Sequence, residues 1–430
     1  MTRQHNSVGA SVLALPGADD IVRQVLPNGI TVVARPNFNS PSVSISGFFP
    51  AGSLAEPDDK LGLADFVASA LMRGTAQRTF DQIYDSLEAV GASLGFDSGH
   101  HSTTFGGRSL AEDLPLLMEL LAETAQAPIF PDSEIEKLRV QLLTGLAIRA
   151  QDTGDMASLT FDRILFEGHP YSRPSDGYPE TIRAIQRDDL VEFHRQYFGP
   201  RGMVVAIVGA VEPSFGVEAV SKSFGNWRDA DQLSFPDLPP HTALSASVRK
   251  HHEIPDKSQS DLVMGMLGPR RMDADFMAAS LANSVLGQFG MMGRIGEVVR
   301  EKSGLAYYAH SSLASGLGPG SWEISAGVNP ANVEKTVNLI VQELARFAKD
   351  GVTEEELSDS QANFVGRLPL SLESNSGVAG ALINIERYQL GLDYYREYAG
   401  LVRSVTRGDV LNVARKYIDT DRLAIATAGP

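Results

Sequence analysis

The chain repeats itself. The stretch "RDDLVEFHRQYFGPRGMVVAIVGA", from Arg187, aligns without a gap on "RGDVLNVARKYIDTDRLAIATAGP", from Arg407, at an offset of 220 residues. Leu190 falls on Val410, Phe193 on Val413, Arg195 on Arg415, Tyr197 on Tyr417 and Gly209 on Gly429. A repeat of this kind constrains the fold strongly, because both copies must build the same supersecondary unit. Each copy reads as a helix with one apolar face, a turn, and a run of β-branched and small apolar residues. The same offset pairs "PDSEIEKL", from 131, with "GVTEEELS", from 351. Both read as helix starts: Ser133 and Thr353 are N-cap candidates, followed three residues later by Glu136 and Glu356 in the pattern of a capping box. With a one-residue shift, "AEDLPLLMELLAET" also resembles "PANVEKTVNLIVQEL". Two homologous halves are therefore expected, at 21–228 and 246–430. A Pro-Pro-containing linker without periodicity joins them at 229–245. Residues 1–20 read as a disordered leader.

Within each half, strands and helices alternate. "LPNGITVVARP" is a strand entered through a turn at Asn28-Gly29. "SPSVSISGFFPAGS" sets Val43, Ile45 and Gly47 against Ser42, Ser44 and Ser46, the period of a half-buried strand. "LGLADFVASALMRGT" puts Leu63, Phe66, Val67, Ala70 and Leu71 at helical spacing and ends at Gly74. A second helix opens at Thr79 and closes near Gly91, and "SLGFDSGHHSTTFGGRS" returns as strand. Neighbouring strands are joined by short turns, so the fold class is α+β: each half a largely antiparallel sheet flanked by helices.

Composition narrows the function. The 430 residues carry a formal net charge of −16. No basic face of the kind a nucleic-acid binder shows is visible, and no apolar run approaches the roughly 18 residues of a membrane span. There are no cysteines, so neither disulfides nor thiolate metal ligands are available; that fits a reducing, cytoplasmic location.

The segment "AGSLAEPDDKLGLADFVASALMRGT" resembles the pitrilysin and mitochondrial-processing-peptidase (insulinase) family of zinc metallopeptidases. Catalytic members carry His-x-x-Glu-His on this helix, in the frame Gly-Leu-Ala-His-Phe-x-Glu-His-x-x-x-x-Gly-Thr. Gly62, Leu63, Ala64, Phe66, Gly74 and Thr75 keep that frame. "LPNG", "GHPYSRPSDGYPETI", "DDLVEFHRQYF" and "REKSGLAYY" extend the resemblance over nearly the whole chain. The departure lies in the donors. Two histidines at i and i+4 grip one zinc from a single helix face, with the Glu between them as base on the bound water. Here those positions are Asp65, Ala68 and Ser69. The family's third ligand, a Glu on a later helix, aligns at Gly145. A degenerate zinc site follows, with no cofactor expected in this chain. Nor do the nine histidines replace it. The close pairs His100-His101 and His251-His252 read as strand neighbours pointing to opposite faces. His169 falls in a loop and His194 on an amphipathic helix.

A second segment, "SVLGQFGMMGRIGEVVREKSGLAYYAHSSL", survives. Gly287, Gly290 and Gly293 read as a loose loop, serving either substrate contact or tight packing, before a helix on which Arg294, Glu297 and Glu301 can pair. Gly304 reads as that helix's C-cap. By the resemblance, the C-terminal half carries an Arg and a Tyr seven positions apart that meet the substrate backbone near the scissile bond. Arg300 and Tyr307 stand at that spacing. The resemblance thus implies a non-catalytic, substrate-binding subunit of a two-chain peptidase. A zinc-bearing homologous partner and an extended peptide substrate go with that reading. Two other readings stay open: a structural subunit like the family's core proteins of respiratory complexes, and a stand-alone peptide-binding homodimer.

Overall fold

The repeat in the sequence is a repeat in space. The structure is a computed structural model describing residues 15–228, 231–288 and 293–430. The N-terminal half runs β1 (Val22–Val25), β2 (Thr31–Pro36), β3 (Ser42–Phe49), α1 (Leu63–Ala70), α2 (Phe80–Glu88), β4 (Ser93–Ser98) and β5 (Thr103–Leu110). It continues with α3 (Leu114–Gln126), α4 (Asp132–Arg149), α5 (Thr153–Leu165), α6 (Pro179–Ala184), α7 (Arg187–Tyr197), β6 (Val204–Gly209) and α8 (Pro213–Phe224). The C-terminal half runs β7 (Val248–Glu253), β8 (Ser260–Gly268), α9 (Phe276–Gly287), α10 (Gly293–Gly296), β9 (Ala306–Ala314) and β10 (Gly320–Val328). It ends with α11 (Val333–Asp350), α12 (Glu354–Ser371), α13 (Asn375–Tyr388), α14 (Tyr394–Ser404), α15 (Arg407–Tyr417) and β11 (Ala424–Gly429). The bounds of α7 and β6 map onto those of α15 and β11 at an offset of 220 residues.

The sheet orders agree as well. The first sheet runs β1-β2-β6-β3-β5-β4 and the second β7-β11-β8-β10-β9, the same order without the outer strand β1. All pairings are antiparallel except β2 with β6 and β7 with β11. The glycines ending β6 and β11 are matched in detail, with φ of 153° and 155°. A side chain on Gly209 would sit 2.3 Å from the Ser42 carbonyl oxygen, so the repeat keeps glycine there.

One face of each sheet is covered by its own half. Ile45, Phe49, Phe66, Leu117 and Val205 belong to the first core. Leu262, Leu281, Trp322, Ile340 and Val410 belong to the second. The other face is covered by the opposite half. Helix α13 lays Val378, Ala379 and Leu382 on Val33, Val204, Ala206 and Val208 of the first sheet. Helix α5 lays Met156, Ala157, Phe161 and Ile164 on Val263, Ala424, Ala426 and Ala428 of the second. The two halves exchange one helix each. This is why β6 and β11 are buried at every position and why their sequences run apolar rather than alternating. It also corrects the half-buried reading of β3: Ser44 is buried, and Asn375 at the start of α13 donates to the Ser42 carbonyl oxygen at 3.0 Å.

Other local expectations met the structure unevenly. Thr353 closes its capping box as expected, and Thr79, expected only to open its helix, closes one too. Ser133 does not: α4 begins at Asp132 with Pro131 at its N-cap, which leaves Ser133 inside the first turn. Of the expected leader, residues 1–14 lie outside the described residues. Residues 15–20 are held on the C-terminal half: Arg396 donates to the Leu15 carbonyl at 3.0 Å, and the Ala18 N–H to Asp393 at 2.9 Å. The linker from 231 to 245 has no helix or strand. It is nonetheless tied down, by Gln232 exchanging two hydrogen bonds of 3.0 Å with the Arg201 backbone and by His169 reaching the Pro239 carbonyl at 3.2 Å.

Truncating the exchanged contact should therefore damage the half that receives it. Phe161→Ala is expected to cost about 3–5 kcal/mol. Amide exchange should rise in β8 and β11, on the far side of the linker; a loss of protection confined to residues 21–228 would contradict the exchange.

Candidate functional site

Helix α1 is set by a carboxylate at its start. Glu56, itself buried, accepts from the Gly62 N–H at 3.0 Å and from the Ala64 N–H at 2.6 Å. Burial pushes its carboxyl up to about 8, against the pull of those two donors. Gly62 has φ of 90° and lies against the 174–177 loop, where a Cβ would meet the Asp176 carbonyl oxygen at 2.9 Å. The next helix of the site, α4, touches α1 through Arg139, whose guanidinium stands 5.3 Å from the Phe66 ring centroid. Arg149 at the end of α4 pairs with Asp176 and donates to the Gly177 carbonyl at 2.9 Å.

This scaffold holds no ligand set. Asp65 is half-buried, Ala68 is buried, Ser69 is half-buried, and Gly145 is exposed with open space where a side chain would begin. Asp65 is the one carboxylate among the four. Burial raises it to about 6, helped by the charges of Asp176 and Asp97. Among the described residues, no group of three or more His, Cys, Asp or Glu is arranged to hold a metal ion. A methyl, a hydroxyl and a missing side chain cannot stand in for imidazole, carboxylate and base, so zinc does not fit these residues.

Gly287 is not in a loop; it is the last residue of α9, so close to β9 that a Cβ would lie 2.1 Å from the Ser311 nitrogen. Gly293, with φ of 64°, packs back on Gly287 and Val285. These two glycines serve tight packing, and Gly290 lies outside the described residues. From Gly293 the chain makes the short helix α10 and then one π-helical turn, Glu297–Glu301. Such turns are frequent at functional sites. Arg294 does not pair along the surface as expected. It turns inward onto Glu356 (2.7 and 2.6 Å), the Gly351 carbonyl (3.0 Å) and the Phe347 ring (5.1 Å to the centroid). That lock fixes the base of the segment. Arg300 sits in the π turn, 3.7 Å from Glu301, and Tyr307 stands 78% exposed on β9, the edge strand of the second sheet.

A cavity of about 630 Å³ opens between the halves. Its walls include Asp97 at the end of β4, the turn His100-His101, Asp162 of α5, Glu323 of β10 and Arg387 of α13. The histidines are not strand neighbours with opposed faces. They occupy the β4–β5 turn, and both rings meet Tyr171, at centroid distances of 5.0 and 5.6 Å. Burial holds both down to about 4, so they are neutral at pH 7. Burial and then Glu323 push Asp162 up to about 7. Sequence reasoning missed this cavity because its walls come from both halves and meet only through the helix exchange.

Residues 31–164 match the insulinase family (peptidase family M16), and residues 184–364 match the peptidase M16 inactive domain. The chain is 25% identical over 420 residues to an uncharacterized zinc protease of Streptomyces coelicolor, covering 96% of this chain and 90% of that one. It is 28% identical over 394 residues to one of Mycobacterium leprae, covering 91% and 87%. A crystal structure of a peptidase M16 inactive domain from Pseudomonas fluorescens superposes with a TM-score of 0.89 at 27% identity, over 96% of this chain and 98% of that one. A Helicobacter pylori protease shares the fold, with a TM-score of 0.89 at 20% identity over 97% of this chain and all of that one. The chain belongs to the M16 peptidase family. Among the described residues, no helix is long and apolar enough to cross a membrane.

Asp65 gives a pH test of the emptied site. In the fold it keeps its proton to about 6, whereas a free Asp releases it near 3.8. The folded state thus loses stability as pH rises through that window. Asp65→Asn is expected to raise Tm at pH 8, by on the order of 1 kcal/mol of stability, and to change it little at pH 4. A lower Tm at pH 8 would show that the ionised carboxylate is wanted there.

Proposed function

We propose that this chain is the non-catalytic, substrate-binding subunit of a two-chain zinc peptidase. The observation that carries the reading is the pairing of an intact α1 frame with Asp65, Ala68, Ser69 and Gly145 at the ligand and base positions. A homologous partner carrying His-x-x-Glu-His supplies the metal, and this chain supplies Arg300 and Tyr307. A guanidinium and a phenol directed at one peptide carbonyl bind it and stabilise the charge that builds on its oxygen. The rigid mount of the Arg300 segment on Arg294 and the exposure of Tyr307 support that role over a purely structural one. The substrate is an extended peptide bound along a sheet edge by backbone hydrogen bonds, which selects length more than sequence. The absence of cysteine favours work in the reducing cytoplasm.

The test mixes the purified chain with a zinc-bearing family member and follows peptide hydrolysis, with size-exclusion elution reporting assembly. Activity is expected to need both chains. Arg300→Ala and Tyr307→Phe should each lower turnover on the order of 100- to 1,000-fold with assembly intact. Arg300→Lys should restore it only in part, because an ammonium lacks the planar fork. Wild-type turnover by the Arg300 and Tyr307 variants in an intact complex would make the pair structural.

A further inference from the structure

Helix α13 crosses from the C-terminal half onto the first sheet, and its last turn delivers Arg387 to the wall of the cavity between the halves. The guanidinium lies 4.6 Å from the Phe48 ring centroid of β3. The residue is half-buried, and burial lowers its pKa against the opposing hydrogen bond with the Tyr388 side chain. Its chain neighbour Glu386 is committed elsewhere, to Arg23 at 2.8 Å. No carboxylate of the described residues forms an ion pair with Arg387.

Taking a cation partly out of water is costly, and natural folds usually offset it with a carboxylate. The acids that share the cavity do not serve. Asp162 is perturbed by burial and Glu323, and Glu323 by burial and Ser321; Arg387 relieves neither. Asp97 lines the cavity too, and no ion pair joins it to Arg387. At neutral pH the two histidines carry no charge. Arg387 is therefore the one cationic side chain among the cavity's lining residues. His101 lies within reach of its field and is hydrogen-bonded through Nε2 to the Tyr171 hydroxyl. Burial keeps Tyr171 a phenol, pushed up to about 12.

We propose that Arg387 is a carboxylate-binding residue of the cavity, anchoring an anionic group of the bound peptide across the junction of the two halves. The planar fork of arginine fits a carboxylate with two parallel hydrogen bonds. The carboxylate is either the peptide's C-terminus or an acidic side chain, which share this chemistry. The assignment rests on the peptide-binding reading above.

The test uses the full chain and three fluorescently labelled extended peptides of one sequence: a free C-terminal acid, a C-terminal amide, and an amide with one internal Glu. One of the two carboxylate-bearing peptides is expected to bind about tenfold or more tighter than the plain amide. Which one it is identifies the source, and the advantage should vanish in Arg387→Met. Equal binding of all three overturns the carboxylate assignment and leaves peptide binding standing. Binding of none overturns the peptide reading and this inference with it. Thermal unfolding without ligand gives a second, independent check. Methionine keeps the contact with Phe48 and removes a half-buried charge that no carboxylate of the described residues offsets, so Arg387→Met is expected to raise Tm. A fall in Tm would make Arg387 a structural residue and sink the proposal.

Discussion

Each sheet of this protein has a face that its own half cannot cover. The apolar strip Val33, Val204, Ala206 and Val208 is closed by α13, and the strip Val263, Ala424, Ala426 and Ala428 by α5. Either half alone would expose a sheet face to water and, on the other side, an apolar helix with nothing to lie on. Burial of a few such side chains contributes several kcal/mol, comparable to the whole margin of stability of a domain. The exchange therefore binds the halves into one folding unit, although residues 231–245 between them form no helix or strand. The cavity follows from it: α5 carries Asp162 to one wall and α13 carries Arg387 to another.

The α1 region keeps its architecture without its ligand side chains. Glu56 still clasps the helix start, Gly62 still admits the 174–177 loop, and Arg139 still stacks on Phe66. What remains of the donor set is one carboxyl, Asp65, raised to about 6 by burial and by the charges of Asp176 and Asp97. The C-terminal half departs in the opposite sense. Its segment from Gly293 to Tyr307 is fastened by a half-buried arginine and ends in an exposed tyrosine on an edge strand. Missing ligands beside a braced segment with an exposed tyrosine fit the proposed division of labour between two chains.

Much of this was legible in the sequence, for physical reasons that differ between elements. The copies at Arg187 and Arg407 gave matching helices and strands because periodicity and glycine placement are local signals. Thr79 and Thr353 cap as read, since a capping box needs only a span of four residues. Ser133 failed because Pro131 already sets the chain direction and starts the helix two residues earlier. Gly287 read as loop because glycine marks loops in sequence; here it permits the approach of β9 to α9. The inward turn of Arg294, the meeting of His100 and His101 on Tyr171, and the helix exchange were all out of reach. Each depends on residues far apart in the chain and leaves no local pattern.

The central claim is that α1 is a family frame without its metal chemistry. The most direct measurement is zinc content by mass spectrometry, on protein purified without chelator and then titrated with zinc while peptide hydrolysis is followed. The account predicts no stoichiometric tight zinc and no hydrolysis by the chain alone. One tightly bound zinc per chain, accompanied by hydrolysis that a chelator removes, would contradict it.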